Sequence, residues 1–260
     1  MNIAVLSGSP RRKDSYSVIK RIEEKMNATG DVAFEYLKIN EYNVKECLGC
    51  LQCIIKSEKL CPLKDDVSAI LDKLKKADGL IFASPVYAIS ITGTMKKLVD
   101  RLSYVFHRPE LILKPALTVV TTYGGGVRPT QKYLKMMATG WGCNYKGDLS
   151  VASPRYFENS EYYSQKYKRE IDSKINTLAN RFYQSVVEKN RPVPSFYELY
   201  LFQGFKGKSY ASKADYDFWK ERNWLESDYY YEVKLNPLKK LFANTLEWLI
   251  KKAFERYYKS

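Results

Sequence analysis

Apolar residues in this chain fall into short unbroken runs that alternate with stretches spaced three and four apart. The first run, Ile3-Ala4-Val5-Leu6, ends in Ser7-Gly8-Ser9-Pro10 and reads as a buried strand followed by a turn. Val18, Ile19, Ile22 and Met26 then recur at helical spacing with Gly30 as a stop, which predicts a helix over 15–26. A second strand is expected over 32–39, and residues 43–61 hold neither period and are expected to be irregular. Val67, Ile70, Leu71 and Leu74 share one face of a helix predicted over 65–77. The run 79–83 predicts a third strand, closed by the proline loop Ser84-Pro85-Val86-Tyr87. Thr92 or Thr94 can cap a helix reaching about residue 105. A fourth strand over 115–122 leads into Tyr123-Gly124-Gly125-Gly126. A helix over 130–138, a weaker strand over 144–151 and a helix over 171–187 complete the series.

Strands alternating with helices at this rhythm imply an α/β fold whose parallel sheet is covered on both faces. Right-handed crossovers place the strand-end loops along one edge, where ligands of such folds bind.

The texture changes after residue 190. Arg191-Pro192-Val193-Pro194 forms a stiff connector, and aromatic residues crowd the next forty positions. A short helix is predicted over 215–224 and a longer one over 237–258. The longer one carries Leu238, Leu241, Phe242, Leu246, Leu249, Ile250 and Phe254 on one stripe, with lysines opposite. We therefore divide the chain into a ligand-binding unit, 1–190, and an aromatic-rich, mainly helical extension, 191–260, expected to serve as an interface or lid. Large rings favour burial, which a lone tail does not provide.

Charge and cysteine content narrow the chemistry. A net charge of +14 favours an anionic partner such as a phosphate-bearing cofactor. No zinc-finger spacing, recognition-helix pattern or RNA-binding signature accompanies it, so nucleic-acid binding is not expected. No signal-like segment opens the chain, and no apolar stretch approaches the roughly 20 residues that span a bilayer. A cytoplasmic protein without membrane association is the expectation. Four of the five cysteines crowd together as Cys47, Cys50, Cys53 and Cys61, a spacing that suits metal, iron–sulfur or redox use rather than a disulfide framework. Four thiolates can wrap one cubane cluster or one zinc ion, or simply pack without metal. The single histidine, His107, makes no metal site alone and is read as part of a loop near a subunit contact.

Three strand-end loops carry candidate ligand chemistry. The first, 8–17, opens a helix, whose unpaired N–H groups favour an anion; Ser9, Ser15 and Ser17 add hydroxyls and Arg11 a charged fork. Neither Gly-x-Gly-x-x-Gly nor Gly-x-x-x-x-Gly-Lys-Ser/Thr is present, so the loop suits a phosphate without specifying a dinucleotide or a P-loop nucleotide. In the second, Pro85 stiffens the chain and Tyr87 can lay its ring beside a planar ligand. In the third, glycines after Tyr123 permit close backbone approach. Lys96 and Asp100 read as an i,i+4 pair rather than as catalytic groups, and no catalytic side chain is assigned.

Taken in order, these blocks resemble the flavodoxin-like NAD(P)H-dependent FMN reductases, especially the iron–sulfur flavoproteins and multimeric flavodoxins. The resemblance rests on Gly8-Ser9-Pro10-Arg11, on Cys47-x-Gly49-Cys50-x-x-Cys53 with Cys61 and Asp65-Asp66, on Ser84-Pro85-Val86-Tyr87, and on Gly93-x-Met95-Lys96-x-x-x-Asp100-Arg101. It covers residues 1 to about 190.

The resemblance implies a flavodoxin-like three-layer sandwich with a five-stranded parallel sheet in the order 2-1-3-4-5. It implies FMN, with Ser9, Arg11, Ser15 and Ser17 at the phosphate and Pro85, Val86, Tyr87, Tyr123, Gly124 and Gly125 at the ring. Relatives usually carry Asn-Thr where this chain has Ser15-Tyr16, which brings Tyr16 into the expected set. It also implies a [4Fe–4S] cluster on the four clustered cysteines and a homodimer or homotetramer. The activity implied is reduction of FMN by NAD(P)H, with electrons passed to a quinone, nitroaromatic, flavin or iron–sulfur acceptor. The alternative is an electron-transfer protein reduced by a protein partner.

Overall fold

The computed structural model describes residues 1–153 and 163–257. Five strands, β1 (Asn2–Ser7), β2 (Ala33–Lys38), β3 (Gly79–Pro85), β4 (Pro115–Thr122) and β5 (Asn144–Ala152), form one sheet in the order β2-β1-β3-β4-β5. Every pairing is parallel, with Ile3 opposite both Phe34 and Gly79, and Leu80 opposite Ala116. The central strands β3 and β4 are apolar on both sides because both sides are covered. The edge strand β2 (AFEYLK) is half-solvated and carries Glu35 and Lys38.

Helices α1 (Asp14–Asn27) and α7 (Gln165–Glu188) cover one face through Val18, Ile22, Ile175 and Phe182. The other face is covered by α3 (Val67–Lys76), α4 (Gly93–Arg101), the short α5 (Tyr104–His107) and α6 (Val127–Gly140). The predicted helix to residue 105 is thus two helices, and the segment 43–61 contains the short α2 (Gln52–Ile55). Thr92 caps α4, its hydroxyl accepting from Met95 N–H at 3.1 Å. On α4 the expected Lys96–Asp100 ion pair forms.

The extension builds a third core from α8 (Phe196–Ser209), α9 (Lys213–Glu221) and α10 (Pro237–Tyr257), centred on Phe202, Trp219, Trp224 and Tyr230. Helix α8 opens with a capping box between Ser195 and Glu198. The extension is fastened to its own α/β unit by polar contacts. Asp215, fully buried, pairs with Arg108, and its Oδ2 lies 2.9 Å from His107 Nδ1. Trp219 Nε1 donates to the His107 carbonyl at 2.6 Å, and Ser212 Oγ donates to Ile54 O at 2.7 Å. Arg108 also donates to the Cys53 carbonyl, so one guanidinium joins the cysteine segment to α9. His107, expected near a subunit contact, is here an intrachain link.

Candidate active site at the strand ends

The loops that follow β1, β3 and β4 enclose a cleft of about 520 Å³ together with the end of β5. Its walls are Arg11 and Asp14, residues 85–88, Thr121, Thr122 and Tyr123, and Ser153.

The first loop is pinned to its neighbours. Gly8 N–H donates to Ala83 O at 2.9 Å, and the Thr92 hydroxyl donates to Gly8 O at 2.9 Å. A Cβ at Gly8 would lie 2.6 Å from Thr92 Oγ1 and 2.9 Å from Met95 Cβ, so only glycine lets the loop rest on the start of α4. Further along, Ser9 Oγ donates to Arg11 O at 2.9 Å and shapes the turn. Helix α1 lacks a side-chain cap, and its first helical hydrogen bond is Ser17 N–H to Lys13 O at 2.8 Å. The N–H groups of Asp14, Ser15 and Tyr16 precede that bond, at the end of the helix that favours anions.

The second loop continues the sheet, with Val86 N–H donating to Thr121 O at 2.8 Å. Tyr87 and Ser90 then exchange hydrogen bonds at 2.9 and 3.0 Å across a turn whose tip, Ala88 and Ile89, has φ of 47° and 64°. Two successive non-glycine residues in the left-handed region are a strained arrangement of the sort that collects at ligand clamps. The turn leaves the Tyr87 ring 41% exposed.

In the third loop, Thr122 Oγ1 accepts from Gly124 N–H at 3.1 Å and donates to Gly125 O at 2.8 Å. Gly126, at φ +79°, sits so close to the second loop that a Cβ would lie 2.6 Å from Val86 Cγ1. The two loops are therefore interlocked. A Cβ at Gly124 or Gly125 would instead meet nothing within 4 Å. Gly124→Ala is thus expected to leave the melting temperature within about 2 °C while weakening flavin binding about tenfold, since a single overpacked contact costs roughly 1–3 kcal/mol. Flavin titration and a thermal melt check this; unchanged affinity would place the ligand away from this backbone.

The expected phosphate contacts are not all brought together. Arg11 stays at the cleft, whereas Ser9 is buried with its hydroxyl on the Arg11 carbonyl, and Ser15 is buried with its hydroxyl 2.7 Å from Thr121 Oγ1, tying α1 to β4. Tyr16 packs against Tyr36 of β2, ring centroids 5.2 Å apart. Ser17 lines a separate cleft of about 310 Å³ with Arg21, Tyr167 and Ile171. Of the ring set, Pro85, Val86, Tyr87 and Tyr123 line the main cleft, with Gly124 and Gly125 next along the chain. Asp14, Thr121 and Thr122, at or beside the expected loops but without an assigned contact, also line it, as does Ser153, which was not expected there.

Cys47 and Cys50 are exposed, and Cys53 and Cys61 are half-buried. Burial pushes the Cys53 thiol up, and the charges of Cys47, Cys61 and Cys50 push it further. The sulfurs are thus electrostatic neighbours, yet among the described residues no three His, Cys, Asp or Glu side chains gather into a set that could hold a metal ion. All-thiolate donors suit a cluster in chemistry, but their placement here does not fit one, and no electron step is derived through it. Beside them, Asp65 is nearly buried against Arg101, which also donates to Cys61 Sγ at 3.4 Å. Burial raises the Asp65 carboxyl, but the Arg101 hydrogen bond and backbone N–H groups outweigh it and hold it below its ordinary value. Cys143 is buried, and burial pushes its thiol up, as befits a core residue.

The chain is similar to known flavoproteins in sequence and in fold. The model of the family described as NADPH-dependent FMN reductase matches residues 1–158. An iron–sulfur flavoprotein of Clostridioides difficile is 30% identical over 207 residues, spanning 78% of this chain and 86% of that one. Another, from Archaeoglobus fulgidus, is 27% identical over 233 residues, spanning 86% of this chain and all of that one. Among solved structures, RosB with the bound intermediate 8-demethyl-8-formylriboflavin-5'-phosphate superposes with a TM-score of 0.56 at 12% identity, covering 91% of this chain and 92% of RosB. An FMN-dependent NADH-azoreductase of Bacillus anthracis gives 0.52 at 14%, covering 70% of this chain and all of that one. At such identities the structures speak for the fold. With the family model spanning more than half of its length, the chain belongs to the NADPH-dependent FMN reductase family of flavin-dependent oxidoreductases, alongside the iron–sulfur flavoproteins.

Proposed function

We propose that the cleft binds FMN and that the protein transfers electrons from NAD(P)H to a quinone, nitroaromatic, flavin or iron–sulfur acceptor. The reading is carried by one observation: a single cleft is lined by a cationic fork at a helix start and by two exposed tyrosine rings on interlocked loops. Bound FMN supplies the chemistry, accepting a hydride and releasing electrons singly or in pairs.

The protein's part is positional. Arg11 and the first N–H groups of α1 hold the phosphate. Tyr87 and Tyr123 flank the ring, and the backbone of 85–88 and 123–125 presents donors and acceptors to its edge. Strain at Ala88 and Ile89, with Gly126 locked against Val86, fixes the clamp before the ligand arrives and so lowers the cost of ordering it. Mixing the flavin-loaded protein with NADPH or NADH without oxygen is expected to bleach the flavin. A flavin that stays oxidised with both nucleotides, yet bleaches with dithionite, would point instead to a carrier reduced by a protein partner.

The extension is proposed as a subunit interface. Leu238, Leu241, Trp248 and Leu249 of α10 are 66, 64, 57 and 50% exposed, an apolar face that a second copy of this chain would cover. No helix among the described residues is long and apolar enough to cross a membrane. Sedimentation is expected to give a dimer or tetramer, shifted toward monomer by Leu241→Asp. A wild-type protein monomeric at all concentrations would refute the interface.

A further inference from the structure

An acidic residue sits where an anion is expected. Asp14 opens α1 and lines the same cleft as Arg11. Its Oδ2 accepts from Ser153 Oγ at 3.4 Å, whereas its Oδ1 is removed from solvent with no hydrogen-bond partner among the described residues. An ionised carboxylate offers about four lone-pair sites, and leaving them unmet while buried is costly. A neutral carboxyl is better suited, since its O–H can donate to an acceptor. Burial raises the Asp14 carboxyl above its ordinary value, and Ser153, Arg11, Lys13 and its own backbone N–H offset this only in part. Among the described residues, the charged and titratable groups facing it are Arg11 and Lys13 of its own loop and Tyr163 ahead of α7, with the Ser153 hydroxyl at the end of β5.

Resting on the flavin reading above, we infer that Asp14 sets the charge of the ligand's anionic end: the cleft takes a flavin phosphate together with one proton, shared between the Asp14 carboxyl and a phosphate oxygen. The proton comes from solvent and no covalent bond between heavy atoms changes. Two negative charges brought together in one cleft repel more strongly than they would in bulk water. Protonation turns that repulsion into a hydrogen bond, while Arg11 attracts the remaining negative charge. Asp14 is thus a specificity-determining residue that disfavours a fully ionised phosphate and leaves the uncharged ribityl chain of riboflavin unaffected.

The test is a double comparison. Full-length protein and Asp14→Asn are titrated with FMN and with riboflavin at about pH 5.5 and about pH 8.5, either side of the phosphate's second ionisation. At the higher pH, Asp14→Asn is expected to bind FMN about tenfold more tightly than the wild type, and at the lower pH within about twofold. The corresponding riboflavin ratio is expected to be the same at both. An FMN ratio independent of pH, or a riboflavin ratio that moves with it, would overturn the role of Asp14 while leaving the flavin site standing. If the wild type quenches neither flavin, the flavin reading itself falls and takes this inference with it. Calorimetry of the unmodified protein in buffers of different ionisation heat is an independent check. Net proton uptake with FMN and none with riboflavin is expected near neutral pH; equal uptake for both would contradict it.

Discussion

Arg11→Ala is expected to weaken FMN by about 10- to 100-fold and riboflavin by less than about threefold. A hydrogen bond to a charged group is worth roughly 1.5–3 kcal/mol, and only FMN carries the phosphate that would receive it. Arg11 is exposed on the cleft wall, so its removal leaves no buried hole and the fold is expected to be undisturbed. Quenching titrations with both flavins give the ratio directly. Equal losses for FMN and riboflavin would remove Arg11 from the phosphate site and shift that role to the backbone of α1.

The largest effect on stability is expected at Asp215, far from that cleft in sequence. Its carboxylate is buried between Arg108 and His107 and is the hinge point of the contact between extension and α/β unit. Removing one partner of a buried pair leaves the other charge uncompensated, at about 3–5 kcal/mol. Arg108 keeps Glu58 at 3.2 Å and two carbonyl acceptors, which places Asp215→Ala near the lower end of that range. For a chain of this size the melting temperature is expected to fall by roughly 6–12 °C. Lys96→Ala, which breaks the solvent-exposed pair with Asp100, is expected to cost no more than about 0.5 kcal/mol. Two melts compare these. Similar small shifts for both would mean that the extension is held by its apolar contacts alone.

The α/β part of this fold could be read from the chain because its elements differ in period. Ile3-Ala4-Val5-Leu6 and the 115–122 run are apolar on both faces only if buried on both, and the helices between them keep one wet side. The order 2-1-3-4-5, which the family resemblance implied, holds in the structure. Helix α8 was not legible for the opposite reason. It lies between α10 on one side and α5 and α6 on the other, so its apolar residues Leu199, Phe202 and Phe205 and its tyrosines leave no polar face to mark the period. Its start was nevertheless encoded, since Ser195 and Glu198 stand at capping-box spacing.

The site was legible by loop more than by residue. Proline, glycine and tyrosine clusters located all three loops. Which side chains face the cleft depends on helix rotation and on tertiary partners. Ser15 and Ser17 are two positions apart, about 200° around a helix, and could not both address one phosphate. Ser15 went to Thr121 and Ser17 to the other side of α1. Asp14 carried one usable signal, an acid set among Arg11, Arg12 and Lys13. Ser153 gave none, because its place depends on where β5 ends beside β4. The family resemblance implied four sulfurs on a common centre; the cysteine spacing allowed this without requiring it, because spacing fixes only their reach. In the structure the carbonyls of Cys53 and Ile54 are taken by Arg108, and Cys61 by Arg101, which spreads the segment over the surface of the α/β unit.

The central claim, that the strand-end cleft is a flavin site, is tested most directly by titrating flavin-free protein with FMN while following flavin fluorescence. The account predicts quenching that saturates at one FMN per chain, with stacking against Tyr87 and Tyr123 as its cause. Fluorescence that does not change at any ratio of FMN to protein would contradict it.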